Sequence, residues 1–183
     1  MIAGEHHVPG YVRNSPRFWL LLLVLVGLGA CGEPPGTTGR VTRIFDGDSL
    51  IVRTPMGQEV EVRLFGIDAP ERSQPWNRRS RQALGKLVRD REVSLEVVTV
   101  DAYGRTVALV RRTSDDLEVN REMVRQGHAW VYRRYTQDPS LIALEEAARD
   151  ERRGIWSLPE TDRVPPWAWR KQNRRPRQRE QEG

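Results

Sequence analysis

Two stretches of the chain place acidic side chains beside β-branched segments, where they could bind a cation or activate water. RIFDGDSLIVR carries Asp46 and Asp48 around a glycine, and RLFGIDAPE carries Asp68 and Glu71 after an apolar segment. An Asp-Gly pair is a common hairpin turn and needs no further explanation. A second carboxylate beside it adds charge repulsion unless a cation lies nearby. Oxygen ligands suit a hard cation such as Ca²⁺, so Asp48 and Asp68 are candidate calcium ligands.

Two arginines accompany these carboxylates. Arg63 lies between apolar neighbours, and because a guanidinium keeps its charge at neutral pH, it needs an anion from the protein or from a ligand. Arg105 follows the tight turn of DAYGR and could face the same rim of a β structure. A cation, two guanidinium groups and a carboxylate near water would suit phosphodiester hydrolysis. A salt bridge between Arg63 and Glu71 with a purely structural role is the open alternative.

These residues lie in a region that alternates short strands with helices. Strands are predicted at VTRIF and SLIVR, joined as a hairpin, and at QEVEVRLFGI, VSLEVVTV and TVALVRR. Helical spacing predicts helices in PWNRRSRQALGKLVRD, in LEVNREMVRQGHA before Gly127, and from Pro139 to Arg153 before Gly154. This order predicts an α+β fold, a five-stranded oligonucleotide-binding-type β-barrel with about three packed α-helices.

Other chemistries find little support in the residues. His6 and His7 lie near the N-terminus and His128 stands alone, which disfavours a zinc site. The chain offers no Ser-His-Asp or Cys-His arrangement for acyl transfer. The tryptophans near the end of the chain are interpreted as packing residues, because large aromatic side chains bury well. They are Trp156, Trp167 and Trp169.

The first thirty residues differ from the rest of the chain. An apolar run from Phe18 to Ala30 follows Arg13 and Arg17 and ends at Cys31, the only cysteine. A bilayer-spanning helix needs about 20 apolar residues, so this shorter run favours an export signal. LGAC resembles the lipobox of bacterial lipoproteins, in which the cysteine is lipidated; an ordinary signal cleaved near Ala30 is the alternative. We expect an exported envelope protein, anchored by lipid at Cys31 and in the outer membrane or facing the periplasm, with an extracellular location as the alternative.

Composition divides the chain into four parts: a signal peptide at 1–30, a linker at 31–39, a folded domain at 40–160 and a basic tail at 161–183. The formal net charge is +5, and the final segment RKQNRRPRQREQEG has no apolar residue. We therefore predict that the tail is disordered. It is either a solvated segment or one that attracts nucleic acid or anionic lipid without specificity.

Five motifs resemble, in order and spacing, those of the thermonuclease or staphylococcal nuclease family. They are DGDS at Asp46, RLFGIDAPE from Arg63, QPW at Gln74, DAYGR at Asp101 and NREMVRQGHAWVY at Asn120. The similarity extends from Arg40 to Trp156. It implies the same five-stranded barrel and a calcium-dependent nuclease that cleaves DNA and RNA.

The resemblance also implies a role for individual residues. It places the calcium ligands on the carboxylates of Asp48 and Asp68 and on the backbone carbonyl of Ala69. It makes Glu71 the general base and gives Arg63 and Arg105 to the phosphate. Its two nucleotide-flanking positions fall on Arg133 and Tyr135, where the family's best-known member has two tyrosines.

The sequence thus predicts an exported, lipid-anchored, calcium-dependent nuclease of low sequence specificity. Its expected partners are DNA, RNA and the membrane, and no obligate protein partner is inferred. A noncatalytic nucleic-acid-binding barrel is the alternative, because barrels of this type often only bind. The presence of Arg63, Glu71 and Arg105 favours the enzyme. A third interpretation is an envelope lipoprotein that uses the barrel for protein contacts.

Overall fold

The structure is a computed structural model that describes residues 37–179, with side chains described as far as residue 173. Its strands are β1 Thr37–Ile44, β2 Ser49–Arg53, β3 Glu59–Leu64, β4 Ile67–Asp68, β5 Glu92–Val100, β6 Thr106–Arg112, β7 Leu117–Glu118 and β8 Trp130–Val131. Its α-helices are α1 Asn77–Val88, α2 Val119–Arg125, α3 Pro139–Asp150 and α4 Pro166–Arg179, and 3₁₀ turns lie at Gly154–Ser157 and Glu160–Asp162. None of the helices in this part of the chain is long and apolar enough to cross a membrane.

Five of the strands close into a barrel. They are hydrogen-bonded in the order β3-β2-β1-β5-β6, each neighbour antiparallel to the next. The barrel closes where β3 pairs with β6 in parallel, with Arg63 opposite Val107. The predicted α+β fold with a five-stranded oligonucleotide-binding-type barrel is therefore confirmed. The remaining strands are two-residue pairings: β7 extends β6, and β4 pairs with β8.

The core fills the barrel with aliphatic side chains from alternate strand positions. Burial of each of the larger side chains, Val, Leu or Met, stabilises the fold by about 1.5–3 kcal/mol. The strands bury Leu50, Val52, Val62, Leu64, Val93, Leu95, Ala108 and Val110. Helix α1 adds Ala83, Leu84, Leu87 and Val88, and α2 adds Val119, Met123 and Val124. The apolar faces predicted for these two helices are the faces that pack on the barrel.

Glycines follow the C-terminal ends of α2 and α3 as predicted, but α3 ends earlier than expected. Gly127 adopts a φ of 71° two residues after the end of α2, a left-handed conformation that favours glycine. Helix α3 ends at Asp150, before the predicted Arg153, because Arg152 already has a φ of 52°. The chain then reaches Gly154, with a φ of 57°, and turns toward Trp156.

The C-terminal segment differs from the disordered tail predicted for residues 161–183, since Pro166–Arg179 form helix α4. Trp167 stacks on Tyr132 with ring centroids 5.2 Å apart and planes 2° from parallel. The Nε2 atom of Gln74 donates a hydrogen bond of 2.9 Å to the carbonyl of Val164, just before the helix. Aromatic packing therefore holds α4 against the domain, whereas its polar composition alone predicts a solvated segment.

The other predicted boundaries meet the structure only in part. The linker was expected to extend to residue 39, whereas β1 already begins at Thr37. The predicted signal peptide, Cys31 and the last four residues of the tail lie outside the described residues. The packing interpretation agrees with the contacts of Trp156, which is buried and meets Trp130 edge to face at 5.7 Å.

Candidate functional site

The loop between β1 and β2 presents Asp48 to the interior. It is wider than the two-residue Asp-Gly turn expected from the sequence, because the N–H of Phe45 donates to the carbonyl of Ser49 at 3.0 Å. The Oδ1 atom of Asp46 accepts hydrogen bonds from the N–H of Asp48 (3.1 Å) and from Oγ of Ser49 (2.5 Å). Asp46 therefore fixes the loop rather than facing a ligand.

Gly47 allows this loop to touch α1. A Cβ atom at Gly47 would lie 1.8 Å from Oγ of Ser80 and 2.7 Å from Cβ of Ala69. Ser80 is itself held, because its Oγ donates a hydrogen bond of 2.7 Å to the carbonyl of His128. The backbone next to Asp48 is thus clamped between α1 and the segment that follows β4.

Arg63 in β3 joins two buried carboxylates. Its Nη1 donates to Oδ1 of Asp48 at 2.5 Å, and its Nη2 donates to Oδ1 of Asp68 at 2.7 Å. The side chains of Asp48 and Asp68 are 1% and 0% exposed. The N–H of Ala69 adds a third donor, 2.5 Å from Oδ2 of Asp48. The anion that Arg63 requires is therefore a pair of aspartates, and the salt bridge with Glu71 offered as the structural alternative is replaced by this pair.

Charge within this cluster is only partly balanced. Burial raises the pKa of Asp48 well above its usual value; Arg63 acts in the opposite direction, and the carboxylates of Asp46 and Asp68 raise the pKa further. Burial acts to lower the pKa of Arg63, but Asp48 and Asp68 outweigh it and raise that pKa. The guanidinium stays charged between more than one carboxylate, so a further cation is electrostatically favourable here.

Arg170 of α4 provides a second guanidinium that the sequence analysis missed. Its Nη2 lies 2.7 Å from Oδ2 of Asp68 and its Nη1 lies 3.2 Å from Oδ1 of the same carboxylate. The same Nη1 donates to Oε1 of Glu71. Burial acts to lower the pKa of Arg170, but its hydrogen bonds and ion pairs with Asp68 and Glu71 raise it. The tryptophans just before Arg170 were the available signal that this segment packs on the domain.

Glu71 is the most accessible carboxylate of the cluster, with 38% of its side chain exposed. The loop that carries it is held by the QPW motif, because the N–H of Glu71 donates to Oε1 of Gln74 at 2.8 Å. The side-chain amide of Asn77 donates to the carbonyl of Pro70 at 2.6 Å. Glu71 is thus fixed at its backbone while its carboxylate reaches solvent, as a group that activates water must.

Arg105 directly precedes β6, the strand that pairs with β3, and its side chain forms no hydrogen bond with the carboxylates of the cluster. It lies two residues before Val107, the residue paired with Arg63. Its Nε lies 2.8 Å and its Nη2 2.7 Å from Oδ2 of Asp101, whose Oδ1 accepts the N–H groups of Tyr103 and Arg105. The DAYGR turn therefore orients Arg105 through its own aspartate, a role for Asp101 that the sequence analysis did not name.

The two predicted nucleotide-flanking residues lie in different surroundings. Tyr135 is 60% exposed and meets Tyr132 edge to face at 4.9 Å. Arg133 donates a hydrogen bond of 2.7 Å to Oε2 of the buried Glu145, whose Oε1 accepts the N–H of Val131. Tyr135 is free to contact a ligand, whereas the guanidinium of Arg133 has a structural partner.

The donor chemistry of the cluster fits a hard cation. Asp48, Asp68 and Glu71 supply carboxylate oxygens around a site that already attracts two guanidinium groups. Within residues 37–179, no group of three or more His, Cys, Asp or Glu side chains forms a ready-made metal site. The carboxylates are instead bridged by Arg63 and Arg170, so a bound cation would replace part of this guanidinium charge.

Comparison with known sequences agrees with this geometry. The sequence model described as "Staphylococcal nuclease homologue" matches residues 61–158, a span that includes Arg63, Asp68, Glu71 and Arg105. The chain belongs to the staphylococcal nuclease family. This membership confirms the resemblance on which the candidate site was assigned.

Several bacterial relatives in the staphylococcal nuclease family are similar over most of their length. A protein described as an uncharacterized endonuclease from Escherichia coli O157:H7 is 42% identical over 132 residues, which cover 72% of this chain and 84% of the relative. One with the same description from Haemophilus influenzae is 37% identical over 154 residues, 84% of each chain. A micrococcal nuclease from Shigella flexneri is 38% identical over 142 residues, 73% of this chain and 80% of the relative.

Proposed function

We propose that this protein is a nuclease that hydrolyses phosphodiester bonds in DNA and RNA, depends on calcium and has little sequence specificity. The observation that carries the proposal is the convergence of these charged side chains. Arg63 bridges Asp48 and Asp68. Arg170 in turn bridges Asp68 and Glu71. Family membership and the nuclease names of its relatives support the same reaction class.

The two family arginines have donors left for a phosphate. A guanidinium carries five N–H groups, and the aspartates engage one hydrogen on each Nη of Arg63. Its remaining donors can bind a phosphoryl oxygen while Asp48 and Asp68 hold its plane. Arg105, oriented by Asp101, keeps its Nη1 hydrogens for a second oxygen. Both would stabilise the charge that develops on the phosphoryl oxygens as water attacks.

Glu71 is proposed as the general base. It accepts a proton from the attacking water, and general-base catalysis contributes typically about 10²–10⁴-fold to a rate. Its carboxylate is held near the buried aspartates yet is partly open to solvent. For this role Arg170 must release Oε1 of Glu71 when substrate enters.

Calcium is proposed to bind through the carboxylates of Asp48 and Asp68 and the backbone carbonyl of Ala69. When bound, it would supply positive charge that polarises the phosphate. The cluster holds three carboxylates against two guanidinium groups, and this excess of acidic groups supports a divalent cation at this position. Arg63 would keep its ion pairs with both aspartates as the cation binds.

The test is an assay of the purified protein on a closed circular single-stranded DNA and on RNA, with calcium or with excess chelator. Cleavage of the circle with calcium, abolished by chelator, would support a calcium-dependent endonuclease. The Glu71→Gln variant controls for contaminating nucleases. If wild type with calcium binds both nucleic acids but leaves them intact, the protein is the noncatalytic binding barrel instead.

We also propose that the protein is exported and held in the cell envelope by lipid at Cys31. The apolar run that ends in LGAC supports this proposal. In cells, Cys31→Ser should abolish labelling with a fatty-acid probe and release the protein from the membrane fraction. Unchanged labelling and partitioning in that variant would exclude the anchor without affecting the nuclease proposal.

A further inference from the structure

A groove beside α1, close to the candidate site, is lined by positively charged side chains. It consists of two adjoining cavities of about 540 Å³ and about 290 Å³, which share Trp76, Arg79 and Gln82. Its cationic lining residues are Arg72, Arg78, Arg79 and Lys86. We call this surface the α1 groove.

The cations of the α1 groove lack the acidic partners found elsewhere on the domain. No Asp or Glu lines either cavity. None of the four cations forms an ion pair within the part of the chain described here, whereas other arginines with exposed side chains, such as Arg53, Arg111 and Arg125, each bind a carboxylate. Helix α1, NRRSRQALGKLV, contains no acidic residue at all. The groove is therefore a field of uncompensated positive charge that attracts polyanions.

An immobilised aromatic ring lies at the centre of the groove. The Nε1 of Trp76 donates a hydrogen bond of 2.9 Å to Nδ1 of His128, and the guanidinium of Arg79 lies 4.4 Å from the centre of the indole. Trp76 adopts a φ of 72°, a left-handed conformation that is strained for a non-glycine residue. A fixed aromatic plane between cations is the composition of surfaces that bind nucleic-acid strands.

The groove is continuous with the candidate site. Arg72, which lines it, follows Glu71 directly in the chain. Gln74 both accepts the hydrogen bond from the N–H of Glu71 and lines the larger cavity. A strand whose scissile phosphate lies at Arg63 and Glu71 therefore meets the groove as soon as it continues in this direction.

From these observations we infer that the α1 groove binds the sugar–phosphate backbone of the nucleic-acid strand beyond the cleaved bond, with Arg78 and Lys86 contacting phosphates. The inference rests on the proposed function, because it takes the strand from the site at Glu71. It assigns to α1 a second contact region that sets how long a substrate must be to bind tightly.

The test compares two double variants of residues in α1 or directly after it. Arg78→Gln with Lys86→Gln removes one cation from each cavity. Arg81→Gln with Arg89→Gln removes two exposed cations of the α1 region that line neither cavity. Both variants lose the same net charge, so a difference between them reports position and not the general field.

Binding of a labelled twelve-nucleotide single strand is measured by fluorescence anisotropy in excess chelator, over a range of salt concentrations. The groove variant should bind at least roughly fivefold more weakly, and its salt slope should fall by about 1.4, because each phosphate contact on a single strand contributes about 0.7. The control variant should match wild type. Equal losses in both variants, or no loss in either, would overturn the inference.

The chelator separates this test from that of the proposed function, since binding is measured without hydrolysis. A groove effect on binding together with absent cleavage would overturn only the nuclease proposal. The same variants are mixed with vesicles of anionic phospholipid. If the groove variant loses affinity for the vesicles and keeps its affinity for the oligonucleotide, the groove faces a membrane and the inference is wrong.

Discussion

Arg170 binds both carboxylate oxygens of Asp68, a residue 102 positions earlier in the chain, at 2.7 and 3.2 Å. Asp68 is fully buried, so this contact brings the first half of helix α4 into the site. The guanidinium and a divalent cation would use the same oxygens. Helix α4 therefore carries a guanidinium that would compete with calcium for the proposed ligands.

The first prediction follows from this competition. Arg170→Gln should tighten calcium binding by about 10- to 100-fold, because hydrogen bonds to charged groups contribute about 1.5–3 kcal/mol. Titration calorimetry with calcium alone measures it directly. Lys171→Gln is the control, since Lys171 is exposed on the same helix and loses the same charge. If Arg170→Gln only lowers thermal stability and leaves the calcium affinity unchanged, the contact is structural.

The second prediction concerns Glu71, the proposed base. Glu71→Gln keeps the size of the side chain but cannot accept a proton, so kcat should fall by about 10²–10⁴-fold. Affinity for a single strand in chelator should change little. Weakened binding with an unchanged kcat would instead make Glu71 a binding residue.

The third prediction concerns the shape of the Arg63 side chain. Arg63→Lys keeps the charge, but a lysine cannot contact both Asp48 and Asp68 while also binding phosphate. The substitution should therefore lower kcat by a larger factor than it raises KM. Arg53→Lys is a suitable control, because Arg53 forms an exposed ion pair with Glu59 in the neighbouring strand. Equal effects of the two substitutions on turnover would contradict the role given to Arg63.

The fourth prediction tests the contact between Gly47 and α1. Gly47→Ala would force its Cβ against Ser80 and Ala69, and overpacking of this kind costs about 1–3 kcal/mol. Because Asp48 follows directly, calcium affinity should fall as well. Gly57→Ala has open space but a φ of 82°, so its cost is backbone strain alone. Denaturant unfolding and calcium titration of both variants should therefore separate them; a normal calcium affinity in Gly47→Ala would show that the loop can adapt.

The fifth prediction concerns acid stability. Burial lowers the pKa of His128 below its usual 6.5, and the charge of Lys86 lowers it further. Between the folded-state pKa and the usual pKa of 6.5, the unfolded chain binds a proton at His128 that the folded chain does not. Stability that is present above about pH 6.5 is therefore lost as the pH falls toward the folded-state pKa. Urea unfolding on both sides of this window measures the loss. His128→Gln should remove that share of the pH dependence; an identical slope in the variant would assign it to other groups.

Local sequence pattern was sufficient for the barrel, because its strands alternate buried and exposed residues and its helices carry apolar faces. Leu50, Val52 and Val62 lie inside for that reason. The same reasoning found Asp48 and Asp68, since two carboxylates near apolar strands are unusual. It also identified the need of Arg63 for an anion, although not which carboxylates would supply it.

The features that the pattern did not predict depend on contacts between distant segments. Arg170 was counted with a polar tail because its partners, Asp68 and Glu71, are far away in the chain. The stacking of Trp167 on Tyr132 is equally non-local. Periodicity describes one element at a time, so it cannot report an ion pair or a ring contact between two elements.

The parallel pairing of β3 with β6 has a further consequence for how the protein loses function on warming. Only three residue pairs form this seam, Val62–Thr106, Arg63–Val107 and Leu64–Ala108, whereas β5 and β6 are joined by seven. The shorter ladder is the weaker one, so we expect its amide hydrogens to exchange with solvent before those of β5. Arg63 lies on one side of the seam and Arg105 directly precedes the other. Brief opening there would separate the two arginines while the helices remain folded, and heat inactivation would begin well below the temperature at which the domain melts.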